Sequence, residues 1–183
     1  YADAVIKRRS LRNFITTKLP KAHFEALLTF LCRADESAED SVLLQEKSVC
    51  TGFLAGNVEG LEPGCYWLNP SETSVGLSRP GFWMDKMAHI CLGQEWLAGA
   101  ALHFFFVTNL KRLEETYGPR GYRYAMLTAG RLAQKIYIGT SAMGLGCCGI
   151  GAFFDEEASD LLELNDDSRM LYLVGAGLVK KFI

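Results

Sequence analysis

Apolar residues recur along this chain with two periods, and the switches between them mark its elements. Phe24, Leu27, Leu28 and Leu31 stand three or four residues apart and predict a helix over 21–32, opened by Pro20. Met84, Met87, Ala88, Cys91 and Leu92 predict another within 82–96. The longest helical pattern covers 120–143. Ala125, Ala129, Leu132 and Ile136 share one face, and small residues elsewhere leave few wholly polar sides. Such a helix belongs in the middle of a domain, buried on several sides, with a subunit interface as one candidate neighbour. Asp3 can cap a short helix over 4–9, residues 109–117 can form one or two turns, and Asp155, Glu156 and Glu157 open a last helix where acids suit the dipole.

The continuous apolar run over 100–108 predicts a buried central strand, and 169–177 a second strand. Residues 42–58 mix apolar and polar positions in a strand-like manner. Turn sequences at 60–64 and 69–71 bracket short strands at 65–68 and 73–77, which read as a hairpin-like flap. The polar, acidic stretch 33–41 reads as a surface loop. Helices alternating with strands, without internal repeats, predict a layered α/β or α+β protein.

Composition narrows the class. With 183 residues, 49% of them hydrophobic, the chain is long and apolar enough for one domain over 1–183 with a substantial core. It starts without Met and so can belong to a longer protein. A net charge of −2 leaves no nucleic-acid footprint. No apolar run is long enough to span a bilayer, and no targeting segment is evident. The six cysteines form no C-x-x-C and have no histidine cluster beside them, so no metal site is expected. They read as reduced, buried thiols in a cytoplasmic setting. Adjacent Cys147 and Cys148 could instead form a strained disulfide.

Two stretches carry candidate chemistry. Gly144, Gly146, Gly149 and Gly151 let a backbone approach something closely: a dinucleotide phosphate, another ring system, or only a neighbouring helix. G-L-G-C-C-G matches G-x-G-x-x-G, but a helix rather than a strand precedes it and no acid follows the next strand. The basic stretch Lys7, Arg8, Arg9, Ser10 and Arg12 suits a phosphate monoester, because guanidinium forks stay charged and bind oxygens in pairs. A solvated basic helix end is the commoner meaning of such a charge cluster. No nucleophile–base, zinc-protease or Walker pattern is present. His23, His89 and His103 are scattered and read as surface or core residues.

Taken in order, several segments resemble the nitroreductase-like flavoprotein family, and within it the SagB-type dehydrogenase branch. They are K-R-R-S-L-R-N-F (7–14), V-E-G-L-E-P-G-C-Y-W-L-N-P (58–70), L-G-Q-E-W (92–96), Y-G-P-R-G-Y-R-Y (117–124), A-G-R-L-A-Q-K-I-Y-I (129–138), G-L-G-C-C-G-I-G-A-F (144–153) and L-Y-L-V-G (171–175). The resemblance implies an α+β fold, with a mixed, mainly antiparallel sheet surrounded by helices and the long central helix at a dimer interface. It implies FMN as cofactor. Arg8, Arg9, Ser10 and Arg12 would hold the phosphate and ribityl chain, with Lys180 or Lys181 reaching the phosphate. Gly149, Ile150, Gly151 and Ala152 would pass along the isoalloxazine.

The implied function is an FMN-dependent oxidoreductase passing hydride through flavin N5 in ping-pong order, with NAD(P)H as donor and the acceptor unspecified. The flavin carries such chemistry itself, which accounts for the missing acid–base constellation. Tyr122, Arg123 and Tyr124, with the hairpin around 65–68, would line the substrate pocket. The partner half would come from a homodimer or a tandem pseudo-dimer. The acidic stretch D-E-S-A-E-D-S stands where the branch has a Pro-Ser-Gly-Gly-rich segment. A second reading follows from it: a member without flavin that acts as a dimerisation or binding module.

Overall fold

A computed structural model describes residues 2–33 and 48–180. Six strands form one sheet: β1 (Cys50–Ala55), β2 (Gly64–Asn69), β3 (Ser74–Pro80), β4 (Leu102–Asn109), β5 (Gly146–Ile150) and β6 (Ser168–Gly177). Their order is β3-β2-β1-β4-β6-β5. Every pairing between them is antiparallel. The sheet is thus antiparallel throughout rather than mixed; parallel pairing is confined to isolated bridges, Ser10 with Cys147 and Leu19 with Val58.

The helices are α1 (Ala2–Lys7), α2 (Lys21–Cys32), α3 (Met84–Ile90), α4 (Leu110–Tyr117), α5 (Gly121–Ala142) and α6 (Asp155–Leu161), with 3₁₀ turns at Glu95–Gly99 and Gly118–Arg120. None among the described residues is long and apolar enough to cross a membrane.

The expected central strand is β4, buried along Leu102–Val107. Side chains alternate across a strand, so a strand buried throughout needs cover on both faces. Leu102, Phe104 and Phe106 join the core under α2 and α5, while Phe105 and Val107 join the core under α3 and α6. The α2 stripe of Phe24, Leu27, Leu28 and Leu31 is buried as its spacing predicts. Ala125, Ala129, Ala133 and Ile136 bury the facing side of α5. A Cβ at Gly139 would stand 3.1 Å from Leu27 Cδ2 and 3.2 Å from Phe30 Cδ1, so the missing side chain sets how closely α2 and α5 approach.

Four boundaries differ from the sequence expectation. The helix expected within 82–96 ends at Ile90, because Leu92 and Gly93 take left-handed φ of 61° and 68°. The first helix spans Ala2–Lys7, which puts Arg8 and Arg9 beyond its end and Asp3 inside its first turn. The glycine-rich stretch, to which the pattern assigned no element, contains a strand: Gly146–Ile150 pairs with β6, from Gly146 opposite Gly177 to Ile150 opposite Leu173. The hairpin is no flap. Its β2 is built into the sheet, with Tyr66 stacked on Phe53 at 5.1 Å and Trp67 edge-on to Phe105 at 5.2 Å. The loop expected at 33–41 and the start of the strand-like 42–58 stretch fall largely outside the described residues; β1 itself begins at Cys50.

All six cysteines are free thiols. Cys147 faces the α5 side and Cys148 the α6 side, as neighbours on a strand must. His103 is fully buried, its Nε2–H donating to the Leu97 carbonyl at 2.9 Å and its Nδ1 without a partner among the described residues. Burial lowers its pKa from 6.5 to about 4, the Leu97 bond opposing only in part.

Between those two values an unfolded chain carries a proton that folded His103 lacks. Acid therefore draws the chain toward the unfolded state, and this part of the stability is fully present only above the unfolded value. Urea unfolding should show a His103 contribution falling by roughly 2–3 kcal/mol between about pH 7 and pH 4. His103→Gln should remove that share of the pH dependence; an identical slope in the variant would contradict the assignment.

Candidate functional site

The outer edge of β5 is covered by the segment after α1. Leu11 N–H donates to the Cys147 carbonyl at 2.8 Å, beside the Ser10–Cys147 bridge. The same segment then pairs with the chain beyond β6. Ile15 N–H donates to the Leu178 carbonyl at 3.0 Å and Lys180 N–H to the Asn13 carbonyl at 3.1 Å. Asn13 Nδ2 returns a bond to the Lys180 carbonyl at 2.8 Å. A Cβ at Gly146 would collide with Val179 and press within 3.2 Å of Leu11 Cβ, so glycine is required where the three segments meet.

This arrangement strings the basic residues along the covering segment and its partner strand extension. Lys7, Arg8, Arg9, Arg12 and Lys180 are all exposed. Arg8 Nη1 donates to the Val5 carbonyl at 2.6 Å. The Arg12 guanidinium lies 5.5 Å from the centre of the Trp96 ring, which in turn stacks with Phe14. Arg12, Ser10 and Asn13 border an open concavity of about 540 Å³. Lys181 lies outside the described residues.

Two tyrosines that sequence reasoning did not single out organise the centre. Tyr137, on α5, accepts from Gly149 N–H at 2.8 Å and shares a 2.7 Å hydrogen bond with Ser10 Oγ. Tyr172, on β6, fills the space beside Gly149. A Cβ there would overlap the Tyr172 hydroxyl and stand 2.8 Å from Cζ. The flat ring met by Gly149 is therefore a side chain of the protein itself, and its N–H is committed to Tyr137. Gly151 and Ala152 stay exposed beyond the strand, while Ile150 is buried on the opposite face. Tyr137 and Tyr172 border a groove of about 280 Å³ with Met126, Gly130 and Gln134 of α5. A Cβ at Gly130 would meet nothing within 4 Å. The sequence offered for Tyr137 only its place in the 129–138 segment of the long helix.

The Cys147 thiol beside this centre is buried. Burial pushes Cys147 up to about 12, outweighing the Thr140 hydroxyl that donates to its sulfur at 3.1 Å. Burial also raises both tyrosines. Among the described residues no group of three His, Cys, Asp or Glu could hold a metal.

Other expected pocket residues stand elsewhere in the chain. Tyr122, Arg123 and Tyr124 open α5, about 20 Å along the helix from Tyr137 at 1.5 Å per residue. Tyr124 packs edge-on against Tyr117 at 5.8 Å. The 65–68 segment lies on β2, four strand spacings or about 19 Å from β5. A single copy does not bring them to the glycine strand.

A six-stranded sheet of this order between two helical layers, with a glycine-rich edge strand against the longest helix, defines the nitroreductase-like α+β class. The chain belongs to the nitroreductase family, whose model matches residues 5–178. A protein of Methanocaldococcus jannaschii with a provisional nitroreductase name is 26% identical over 176 residues, 94% of this chain and 89% of that protein. A provisionally named nitroreductase structure from Anabaena variabilis superposes with TM-score 0.89 at 30% identity over 97% of this chain. The chain spans only 37% of that protein's length. The NADPH:FMN oxidoreductase of Vibrio harveyi, solved in complex with NAD+, shares the fold at TM-score 0.68 and 16% identity, over 98% of this chain and 69% of its own.

Gly149→Ala should cost about 1–3 kcal/mol, because the new methyl must displace the Tyr172 ring. Gly130→Ala, on an exposed helical position with open space, should be neutral or stabilise by up to about 1 kcal/mol. Chemical denaturation of both variants checks the contrast; equal effects would mean the two glycines meet similar surroundings.

Proposed function

We propose that the chain is an FMN-dependent oxidoreductase of the SagB-type branch, with NAD(P)H as electron donor. The observation that carries this reading is the joining of two features on one sheet edge. Arg8, Arg9, Ser10, Arg12 and Lys180 present cations and a hydroxyl, a set matched to a phosphate dianion. Gly151 and Ala152 expose backbone at the end of the strand that this segment pairs with. The open side of Gly130 supplies room that a Cβ would take. The residues present fit FMN.

In this reading Arg8, Arg9, Arg12 and Lys180 neutralise the phosphate, and Ser10 adds one oriented hydrogen bond. Gly151 and Ala152 lie along the ring system, with Tyr172 supporting the strand from behind. When bound, FMN supplies hydride transfer at N5, from NAD(P)H to an acceptor that takes its place. The protein's own groups bind and orient; Cys147 stays a thiol, and His103 is buried and neutral. The exposed Leu127 and Tyr122 of α5 suit contact with a second copy or a tandem half. Such a partner would return the Tyr122–Tyr124 turn to the site. Free thiols throughout suit a reducing, cytoplasmic setting.

FMN at a hundredfold excess over Kd should raise the stability by about 2.7 kcal/mol. Arg8→Ala and Arg12→Ala should each weaken FMN about ten- to a hundredfold, the range for a lost charged hydrogen bond, with riboflavin little changed. Titration by quenching of flavin fluorescence measures both. Equal losses for the two ligands would remove the phosphate role, and no FMN binding at all would leave the flavin-free module.

A further inference from the structure

We infer that Tyr137 is a positioning residue that sets Ser10 as a hydrogen-bond donor to an incoming phosphate. This rests on the FMN reading and concerns a residue outside the set that would touch the cofactor. The reasoning is an account of hydrogens. Gly149 N–H can only donate, so the Tyr137 oxygen accepts there at 2.8 Å. The phenol has one hydrogen of its own, and the Ser10 Oγ lies 2.7 Å away. Among the described residues the hydroxyl makes these two hydrogen bonds and no third. If Ser10 donated to Tyr137, the phenol would accept twice and its own hydrogen would go unused at a half-buried position. If Tyr137 donates to Ser10, the half-buried phenol hydrogen is used and the one left over belongs to the exposed serine, which can turn it toward the open side.

The chain of donors therefore runs from Gly149 N–H to the Tyr137 hydroxyl to the Ser10 hydroxyl, and ends beside the open concavity that Ser10 borders with Arg12. Each bond polarises the next in the same sense, which strengthens the terminal donor toward an anion. Burial holds the phenol protonated, as a donor must be.

The geometry also explains where the edge pairing stops. Leu11 takes the Cys147 carbonyl, and two residues on, the next outward-facing N–H, that of Gly149, goes to Tyr137 instead of to the 10–15 segment. Ser10 is thus held by one backbone bridge on one side and by a phenol on the other. Its rotamer is limited before any ligand arrives, so less ordering remains to be done on binding.

The test compares FMN with riboflavin, which lacks the phosphate, on Tyr137→Phe, Ser10→Ala and the double variant, by fluorescence titration. Tyr137→Phe should weaken FMN about tenfold while riboflavin stays within about twofold. Ser10→Ala should do the same, and the double variant should lose no more selectivity than Ser10→Ala alone. Should Tyr137→Phe fail to fold, Tyr137→Met removes the same oxygen with a side chain that fills irregular space. If the unaltered protein prefers FMN to riboflavin and the Tyr137 variant keeps that preference, the positioning role is overturned while the FMN reading stands. Additive losses in the double variant would overturn it too, by showing two independent contacts. If the unaltered protein shows no preference for FMN, the FMN reading fails and this inference with it.

Discussion

Burial of β4 on both faces is the constraint from which the rest of the structure follows. Leu102 to Val107 carry three consecutive phenylalanines, and alternation sends their rings to opposite sides. Each ring removed from water contributes on the order of 2 kcal/mol or more, so neither face can be left open. Helices α2 and α5 close one side; α3, α6 and the 3₁₀ turn at Glu95–Gly99 close the other. Because β6 and then β5 extend the sheet beyond β4, the long α5 passes over them and carries Tyr137 to Gly149. The site is a consequence of how the core is covered.

Its edge would otherwise be a liability. A short, glycine-rich edge strand is weak by itself and offers open hydrogen-bonding groups. Here the 10–15 segment and residues 178–180 cover it, so the element that closes the edge is also the one that carries the cations. In the proposed reading, structure and binding chemistry share the same backbone. The glycines are explained by their neighbours in this chain: Val179 and Leu11 at Gly146, Tyr172 at Gly149. Gly130 on α5 faces open space, and Gly151, beyond the strand, meets only the edge of the Tyr172 ring at 3.4 Å.

Electrostatically the site is one-sided. The cations are exposed and solvated, so each is worth little until an anion gathers several at once. Burial raises the neighbouring Cys147 thiol and both phenols, favouring their protonated forms. In the proposed reading such a site binds and orients, leaving bond-making to the flavin.

The sequence by itself determined the helices with clear periodicity, the central strand, the hairpin and the basic character of residues 7–12, because each is encoded by neighbours within a turn or a strand. It also carried the family through ordered segments spread over the chain. Tertiary structure decided what local pattern could not encode. Gly146–Ile150 is a strand only because β6 pairs with it, against the local preference of glycine. The helix over 82–96 stops at Ile90 through two left-handed residues, one of them the non-glycine Leu92. Tyr137 joins Ser10 and Gly149 across 127 and 12 residues of chain, a hydrogen-bonded meeting that no spacing in the sequence announces. The Tyr122–Tyr124 turn and the 65–68 segment are placed far from the glycine strand for the same reason: distance in the fold is set by strand order and helix length, and neither is visible one window at a time.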